Sequence, residues 1–145
     1  MHGDLTKRIL FCDDFKTMVS AITNNIDISV ETSYQALQSK PELDYYLFSY
    51  QITIKNEGDF TVQLLSRFWN IFDATMERRI VEGDGVVGEQ PVLAPGELFR
   101  YESFCQLKTD AGSMKGFYTF RRQLDGSEFE ARIPEFILLP EYRNN

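Results

Sequence analysis

The chain has 145 residues, a formal net charge of −7 and an aromatic content of 14%. Its length suits one domain with a core of its own. It shows neither a signal peptide nor an apolar run long enough to span a membrane, so we expect a cytoplasmic protein. The acidic balance argues against a nucleic-acid partner, because binding to the phosphate backbone depends on clustered Lys and Arg side chains.

Residues 1–17 precede the regular pattern of the rest of the chain. Apolar side chains recur there at roughly helical spacing, in a series that continues into the next segment: Leu5, Ile9, Cys12, Phe15, Val19 and Ile22. One interpretation is a loose amphipathic helix. The interpretation we favour is that the domain spans residues 18–145 and that residues 1–17 are an extension, not native to it. Deleting residues 1–17 should then leave the fold unchanged.

From residue 25 onwards, apolar residues alternate with polar ones, which is typical of strands with one buried face. The alternation is clear at residues 26–30, 46–54, 99–105 and 129–133, and residues 117–122 form a further strand before a hairpin signal at residues 124–127. Between Leu64 and Trp69 the apolar residues change parity, which predicts either a bulge or burial on both faces. Turn residues separate these segments at the spacing of β-sandwich proteins. The pattern predicts an all-β fold, a two-sheet antiparallel sandwich of about seven strands.

Residues 81–97 interrupt this pattern with three glycines at GxGxxG spacing, Gly83, Gly85 and Gly88, followed by two prolines. Glycine permits positive φ and proline lacks a donor, so regular helix or strand is excluded and we expect positive φ within the glycine triplet. A dinucleotide fingerprint would need a βαβ unit, and a P-loop would need Gly-Lys-Ser/Thr, so neither motif fits.

A weaker ligand hypothesis for the same loop is an anion nest built from backbone N–H groups. Its residues would be Gly83, Gly85, Gly88, Glu89 and Gln90. The acidic side chains in the loop would oppose an anion, so a purely conformational role is the alternative that we favour.

Four segments of the chain resemble the ApaG family, a β-sandwich domain of bacteria that also occurs in eukaryotic multidomain proteins. In chain order they are Gln63-Leu-Leu-Ser-Arg-Phe-Trp69, Gly83-Asp-Gly-Val-Val-Gly-Glu-Gln-Pro-Val-Leu-Ala-Pro-Gly-Glu97, Cys105-Gln-Leu-Lys-Thr-Asp-Ala-Gly-Ser-Met-Lys-Gly116 and Phe129-Glu-Ala-Arg-Ile-Pro-Glu-Phe136. The resemblance runs from about Asn25 to the C-terminus and implies an immunoglobulin-like or fibronectin-III-like sandwich. Phe68 departs from the family pattern, which usually has histidine there.

Catalytic chemistry has little support, and we expect that the chain is not an enzyme. His2 is the only histidine and lies outside the predicted domain, so the commonest general base is missing. Cys12 and Cys105 are too few for a disulfide framework and indicate free thiols. We expect Cys105 to be a buried structural thiol and Trp69 to be buried between the sheets.

Carboxylates are the remaining candidates for a metal site, because hard cations accept oxygen ligands without histidine. Asp84 and Glu89 are weak candidates for Mg²⁺ or Co²⁺, and solvated surface acids are the alternative that we favour. We therefore expect no cofactor. The resemblance adds that ApaG members, under the name CorD, are linked with cobalt tolerance and magnesium handling.

The favoured hypothesis for function is a non-catalytic module whose glycine loop and exposed sheet edge bind a protein partner. The resemblance supports it, because ApaG-like domains occur in an F-box protein and in a polymerase-delta-interacting protein. One alternative is an accessory role in divalent-cation homeostasis. A second is binding of a phosphate compound or nucleotide at the glycine loop, which the family's genetic linkage to a diadenosine tetraphosphate hydrolase suggests. A homodimer is also compatible with the sequence.

Overall fold

A computed structural model describes the backbone of residues 5–11 and 16–143 and the side chains of residues 18–142. The described residues form ten strands: β1 Leu5–Phe11, β2 Lys16–Thr23, β3 Ile26–Tyr34, β4 Tyr46–Asn56, β5 Val62–Asp73, β6 Arg78–Asp84, β7 Val92–Leu93, β8 Leu98–Leu107, β9 Gly112–Arg122 and β10 Glu128–Leu138. Short 3₁₀ turns lie at Pro41–Leu43 and Glu141–Arg143. In this part of the chain, no helix has the length and apolar character needed to cross a membrane.

The strands form two sheets whose neighbouring strands all run antiparallel. The first sheet has the order β1-β2-β3-β4-β8, and the second has the order β10-β9-β5-β6, with β7 also paired to β5. The inward faces of both sheets share one apolar core. The predicted two-sheet antiparallel sandwich is therefore confirmed, whereas the finer comparison with immunoglobulin and fibronectin-III topologies stays an expectation.

Aromatic rings from both sheets meet at the centre of this core. The ring of Tyr50 on β4 lies 5.5 Å from that of Trp69 and 5.8 Å from that of Phe136. Trp69 contacts Phe136 edge-on at 5.9 Å and is only 2% exposed. Nearby, the hydroxyl groups of Tyr101 and Tyr118 form a hydrogen bond across the two sheets. The predicted burial of Trp69 is confirmed.

The helix interpretation for the N-terminal residues is wrong at Leu5–Phe11, which form strand β1 paired to β2 along its whole length. β2 begins at Lys16 and joins β3 through Asn24 and Asn25, both at positive φ (51° and 64°). A turn of that kind suits the twist of a hairpin, and pairing with β3 outweighs the helical spacing of a few apolar residues. Cys12 and Phe15 lie outside the described residues.

Ten strands exceed the seven expected. β1, β2 and the two-residue β7 account for much of the difference. Because β2 pairs with β3 from Thr17 onwards, the sandwich begins slightly before Met18. Whether residues 1–17 are native to the domain stays a prediction.

Candidate functional site

The glycine loop is a tight hairpin that follows directly on β6. Val86 and Glu89 exchange both backbone hydrogen bonds, at 2.8 and 2.9 Å, around the turn residues Val87 and Gly88. Val86 is completely buried and anchors the loop in the core. Val87 lies at a φ of 43°, which costs a non-glycine residue about 1–2 kcal/mol, and is 53% exposed. The loop therefore has a strained backbone and an exposed apolar side chain at its tip.

Each glycine of the triplet has its own structural reason. Gly85 lies at a φ of 63°, and a Cβ there would lie 2.3 Å from the carbonyl oxygen of Glu89. Gly88 lies at a φ of 81° in the turn, facing open space. Gly83 is part of β6, so the exclusion of regular strand is wrong for residues 81–84, and likewise for β7. The missing side chain of Gly83 leaves room for the guanidinium of Arg67, which would lie 3.1 Å from a Cβ at this position. The expectation of positive φ is confirmed for Gly85 and Gly88.

Polar groups of the loop donate hydrogen bonds to the bulge in β5. The register of β5 against β9 shifts between Leu64 and Ser66, which confirms the predicted bulge and leaves the carbonyl of Leu65 outside that ladder. This oxygen accepts hydrogen bonds from the Gly85 N–H and from Nε2 of Gln90, both at 2.8 Å. The N–H groups of Gly85, Val86 and Glu89 are thus committed to protein acceptors, which leaves fewer donors for an anion.

The side chain of Arg67 supports the glycine loop through hydrogen bonds. Its Nη1 donates to the carbonyl oxygens of Asp84 and Gly85, both at 2.9 Å. In the β5 ladder Arg67 shares the inward face with Trp69 and Ile71, so its guanidinium lies on the core side of the second sheet. No carboxylate among the described residues forms an ion pair with it.

Arg67 lies in a cleft of about 320 Å³ between β8 and β6, which are end strands of opposite sheets. We call it the inter-sheet cleft. The two strands contribute Arg79 and Val81 on one side and Tyr101 and Cys105 on the other. Trp69 and Met114 lie at its floor, whereas Val87 and Phe104 lie at its mouth.

A second arginine lies at the other end of the cleft. Nη2 of Arg79 donates to the carbonyl oxygen of Gln106 at 3.1 Å and contacts Sγ of Cys105 at 3.6 Å. Burial raises the pKa of the Cys105 thiol to about 11, although Arg79 opposes the shift. Cys105 is a free, buried cysteine, which confirms its predicted burial. At neutral pH this thiol is protonated and only the guanidinium is charged.

The tyrosines around Arg67 are neutral as well. Burial raises the pKa of Tyr50, Tyr101 and Tyr118 above the usual tyrosine value, and the nearby charge of Arg67 offsets part of each shift. The cleft therefore carries two cations and neutral hydroxyl groups within a chain whose net charge is −7. Its local charge is opposite to that of the molecule as a whole.

The acidic residues of the loop do not converge on one point. Asp84 and Glu89 are exposed, and in the described part of the chain no group of three or more His, Cys, Asp or Glu side chains is placed to hold a metal ion. Oε1 of Glu97 caps the nearby turn at Ala94 N, at 2.8 Å, and Oδ2 of Asp73 accepts from Lys108 N at 2.7 Å. The Mg²⁺ or Co²⁺ alternative stays a prediction for calorimetry.

A wider groove of about 670 Å³ lies on the outer face of the second sheet. Phe68 and Phe117 stack there with ring centroids 5.0 Å apart and an angle of 11° between their planes. Lys115 and Glu130 are among the charged residues that line it. Phe68 therefore lies on an outer surface, away from the inter-sheet cleft.

Sequence reasoning identified the glycine loop but missed the arginines beneath it. The available signal was the parity of Arg67, which follows the bulge and shares the inward face with Trp69. A charged residue at an inward position of a strand predicts a specific polar partner or a site. Arg79 and Tyr101 carried no such signal, because their meeting depends on how the two sheets are stacked.

Comparison with known proteins places the chain in a family. The model of the ApaG domain matches residues 36–122. Protein ApaG of Brucella canis is 47% identical over 127 residues, covering 87% of this chain and 97% of that protein, and Protein ApaG of Anaeromyxobacter dehalogenans is 48% identical over 122 residues, covering 84% and 95%. A crystal structure of a Bordetella pertussis protein designated ApaA is 42% identical and superposes with a TM-score of 0.77, covering 79% of this chain and 93% of that one. The chain therefore belongs to the ApaG family.

Proposed function

We propose that the chain is a non-catalytic binding module that engages a protein partner through the open edge of β8 beside the glycine loop. The observation that carries the proposal is the position of β8, which pairs with β4 on one side and ends its sheet on the other. An unpaired strand edge offers backbone donors and acceptors to an extended segment of another protein. Alternate residues of the ten-residue strand β8 direct their backbone groups towards this edge, where the carbonyl oxygen of Gln106 already accepts from Arg79.

Exposed apolar side chains flank this edge. Phe104, on the outer face of β8, is 56% exposed, and Val87 projects from the loop across the mouth of the cleft. Aromatic side chains are enriched at the centre of protein interfaces. Arg100 and Glu102, also exposed on β8, hinder uncontrolled pairing of the edge with other copies.

The chemistry of the cleft supports binding without catalysis. The thiol of Cys105 is protonated at neutral pH, and the side chains of Ser103 and Tyr50 are hydrogen-bonded to each other. No histidine occurs among the described residues, so none of them can serve as a general base for either side chain. A free cysteine also suits a reducing compartment such as the cytoplasm, where we place the module.

The proposal is tested by comparing partners captured by the wild type and by two charge-matched variants. Phe104→Lys places a cation on the proposed surface, whereas Leu124→Lys places one in the β9–β10 turn, where the native leucine is 78% exposed. A partner captured from a lysate of the native organism by wild type and Leu124→Lys, lost with Phe104→Lys and then confirmed with purified proteins, is the expected result. Equal capture by all three proteins, at equal melting temperatures, would refute the β8 surface.

A further inference from the structure

The inter-sheet cleft contains a partly buried cation without an anionic partner. Arg67 is partly buried, and its guanidinium donates through Nη1 to two backbone carbonyl groups. Its Nε and Nη2 have no acceptor among the described residues. Because removing a charged group from water is costly, a guanidinium in this position favours a bound anion.

The surroundings of Arg67 suit the charged end of a ligand. The side chains of Tyr50 and Tyr101 line the same cleft as Arg67, and burial, which raises the pKa of each hydroxyl group, keeps both of them protonated at neutral pH. A protonated hydroxyl can donate to an oxyanion, and a guanidinium binds carboxylate or phosphate oxygens in a forked geometry. These groups would meet the same negatively charged oxygen atoms.

The middle of the cleft is apolar. Trp69 and Met114 belong to the buried core, and Val81 lies on β6 between the two arginine ends. Arg79 on β6 is paired with Ile71, which lies four residues along β5 from Arg67, so the two arginines are offset by about 13 Å along the strand direction. A cleft of this size, lined by aliphatic and aromatic residues together with several polar and charged groups, has the composition of a small-molecule site.

We propose that the inter-sheet cleft binds an organic oxyanion, with its carboxylate or phosphate group at Arg67 and its apolar part against Trp69. The glycine loop forms the roof of this site, since Val86 and the strained Val87 both line the cleft. The ligand is held by side chains below the loop, not by the N–H groups of the loop itself. This inference does not depend on the proposed protein partner, which uses the outer edge of β8.

The test uses the fluorescence of Trp69, the one tryptophan of the chain, as the readout of binding. The probes are phenylacetate and phenyl phosphate, which differ in the anionic group, and phenylacetamide, the neutral counterpart of phenylacetate. We expect saturable binding of at least one anion and much weaker binding of phenylacetamide. The better of the two anions identifies the preferred headgroup. Absence of saturable binding of both anions up to roughly 10 mM, or equal binding of phenylacetamide, would overturn the proposal.

Two variants of equal charge locate the site. Arg67→Gln should weaken anion binding by about tenfold or more, because hydrogen bonds between charged groups are lost. Arg100→Gln removes the same charge from the exposed outer face of β8, where Arg100 donates to Thr53, and should change the affinity by less than about twofold. Equal losses in both variants would contradict a site at Arg67.

Because Arg67 also supports the glycine loop, a second measurement avoids substitution altogether. In a two-dimensional NMR titration of the wild type, phenylacetate should shift the indole N–H of Trp69 and the amide of Gly85, and phenylacetamide should not. Shifts confined to residues outside the cleft would overturn the proposal even if Arg67→Gln fails to fold.

Discussion

The guanidinium of Arg67 lies against the α-carbon of Gly83, so closely that a Cβ on this glycine would lie 3.1 Å from Nη2 and 3.2 Å from Nη1. The same guanidinium donates to the carbonyl oxygens of Asp84 and Gly85. The first glycine of the triplet therefore gives space to a side chain, whereas the second and third allow the backbone to turn. Replacing each of these glycines should therefore have a different effect on stability.

We expect the three alanine variants to differ in stability in a fixed order. Gly85→Ala should lower the free energy of unfolding most, by about 2–3 kcal/mol, because it combines positive φ with a contact to the backbone oxygen of Glu89. Gly88→Ala should cost about 1–2 kcal/mol, since only its φ is unfavourable. Gly83→Ala should cost less than about 1 kcal/mol, because the flexible end of Arg67 can move aside.

Urea unfolding of the three variants measures this order directly. A Gly83→Ala variant less stable than Gly85→Ala would show that the position of Arg67, and not the turn, determines the stability of the loop.

Trp69→Ala should lower the free energy of unfolding by about 3–5 kcal/mol, because it removes the ring that joins Tyr50 and Phe136 at the centre of the core. The neighbouring Phe68→Ala is a matched control, since Phe68 lies on the opposite face of the same strand and stacks on Phe117. Its cost should be about 1–2 kcal/mol. Comparable losses in both variants, or a solvent-exposed emission maximum for Trp69 in the folded protein, would contradict the burial of the indole.

Much of the fold could be predicted because period-two alternation is a local property. Ile52 and Ile54 are completely buried, as their alternation with Gln51 and Thr53 indicates. The parity change before Trp69 likewise revealed the bulge in β5. In these segments the sequence of each strand is enough to say which side chains face the core.

The inter-sheet cleft could not be predicted in the same way. Arg67 and Tyr101 approach each other only because β5 and β8 belong to different sheets that stack with these residues facing inwards. No local pattern encodes that stacking. The β2–β3 hairpin was missed for a different reason, because the helical spacing of a few apolar residues concealed its turn at Asn24 and Asn25. Both residues have positive φ, which asparagine tolerates better than most residues.

Removing residues 1–15 should leave a cooperatively folded domain with a melting temperature within a few degrees of the full chain. The deletion takes away β1, an end strand, and keeps all of β2, which pairs with β3 from Thr17 to Thr23. For a domain of this size a shift of about 2–4 °C corresponds to roughly 1 kcal/mol. Scanning calorimetry of both chains provides the measurement. A much larger decrease, or loss of the cooperative transition, would show that β1 is an essential part of the sandwich.

Stability should fall at alkaline pH, partly because of Cys105. Burial raises the pKa of this thiol from 9.0 to about 11, so between these values the folded protein keeps a proton that the unfolded chain has lost. The free energy of unfolding therefore decreases as the pH rises through this window, by at most about 1.4 kcal/mol per pH unit for one group. The contribution is fully present below pH 9 and is lost towards pH 11.

Urea unfolding of Cys12→Ser and of Cys12→Ser/Cys105→Ala between pH 7 and pH 10 isolates the contribution of Cys105. Cys12→Ser removes the other thiol from both proteins, and the pH dependence is compared instead of the absolute stability, because Cys105→Ala also leaves a cavity. The buried tyrosines, whose pKa values are raised as well, titrate in both proteins and do not affect the difference. We expect the decrease above pH 9 to be smaller in the double variant by about 1 kcal/mol. An identical decrease in both proteins would show that the Cys105 thiol ionises as readily in the folded protein as in the unfolded chain.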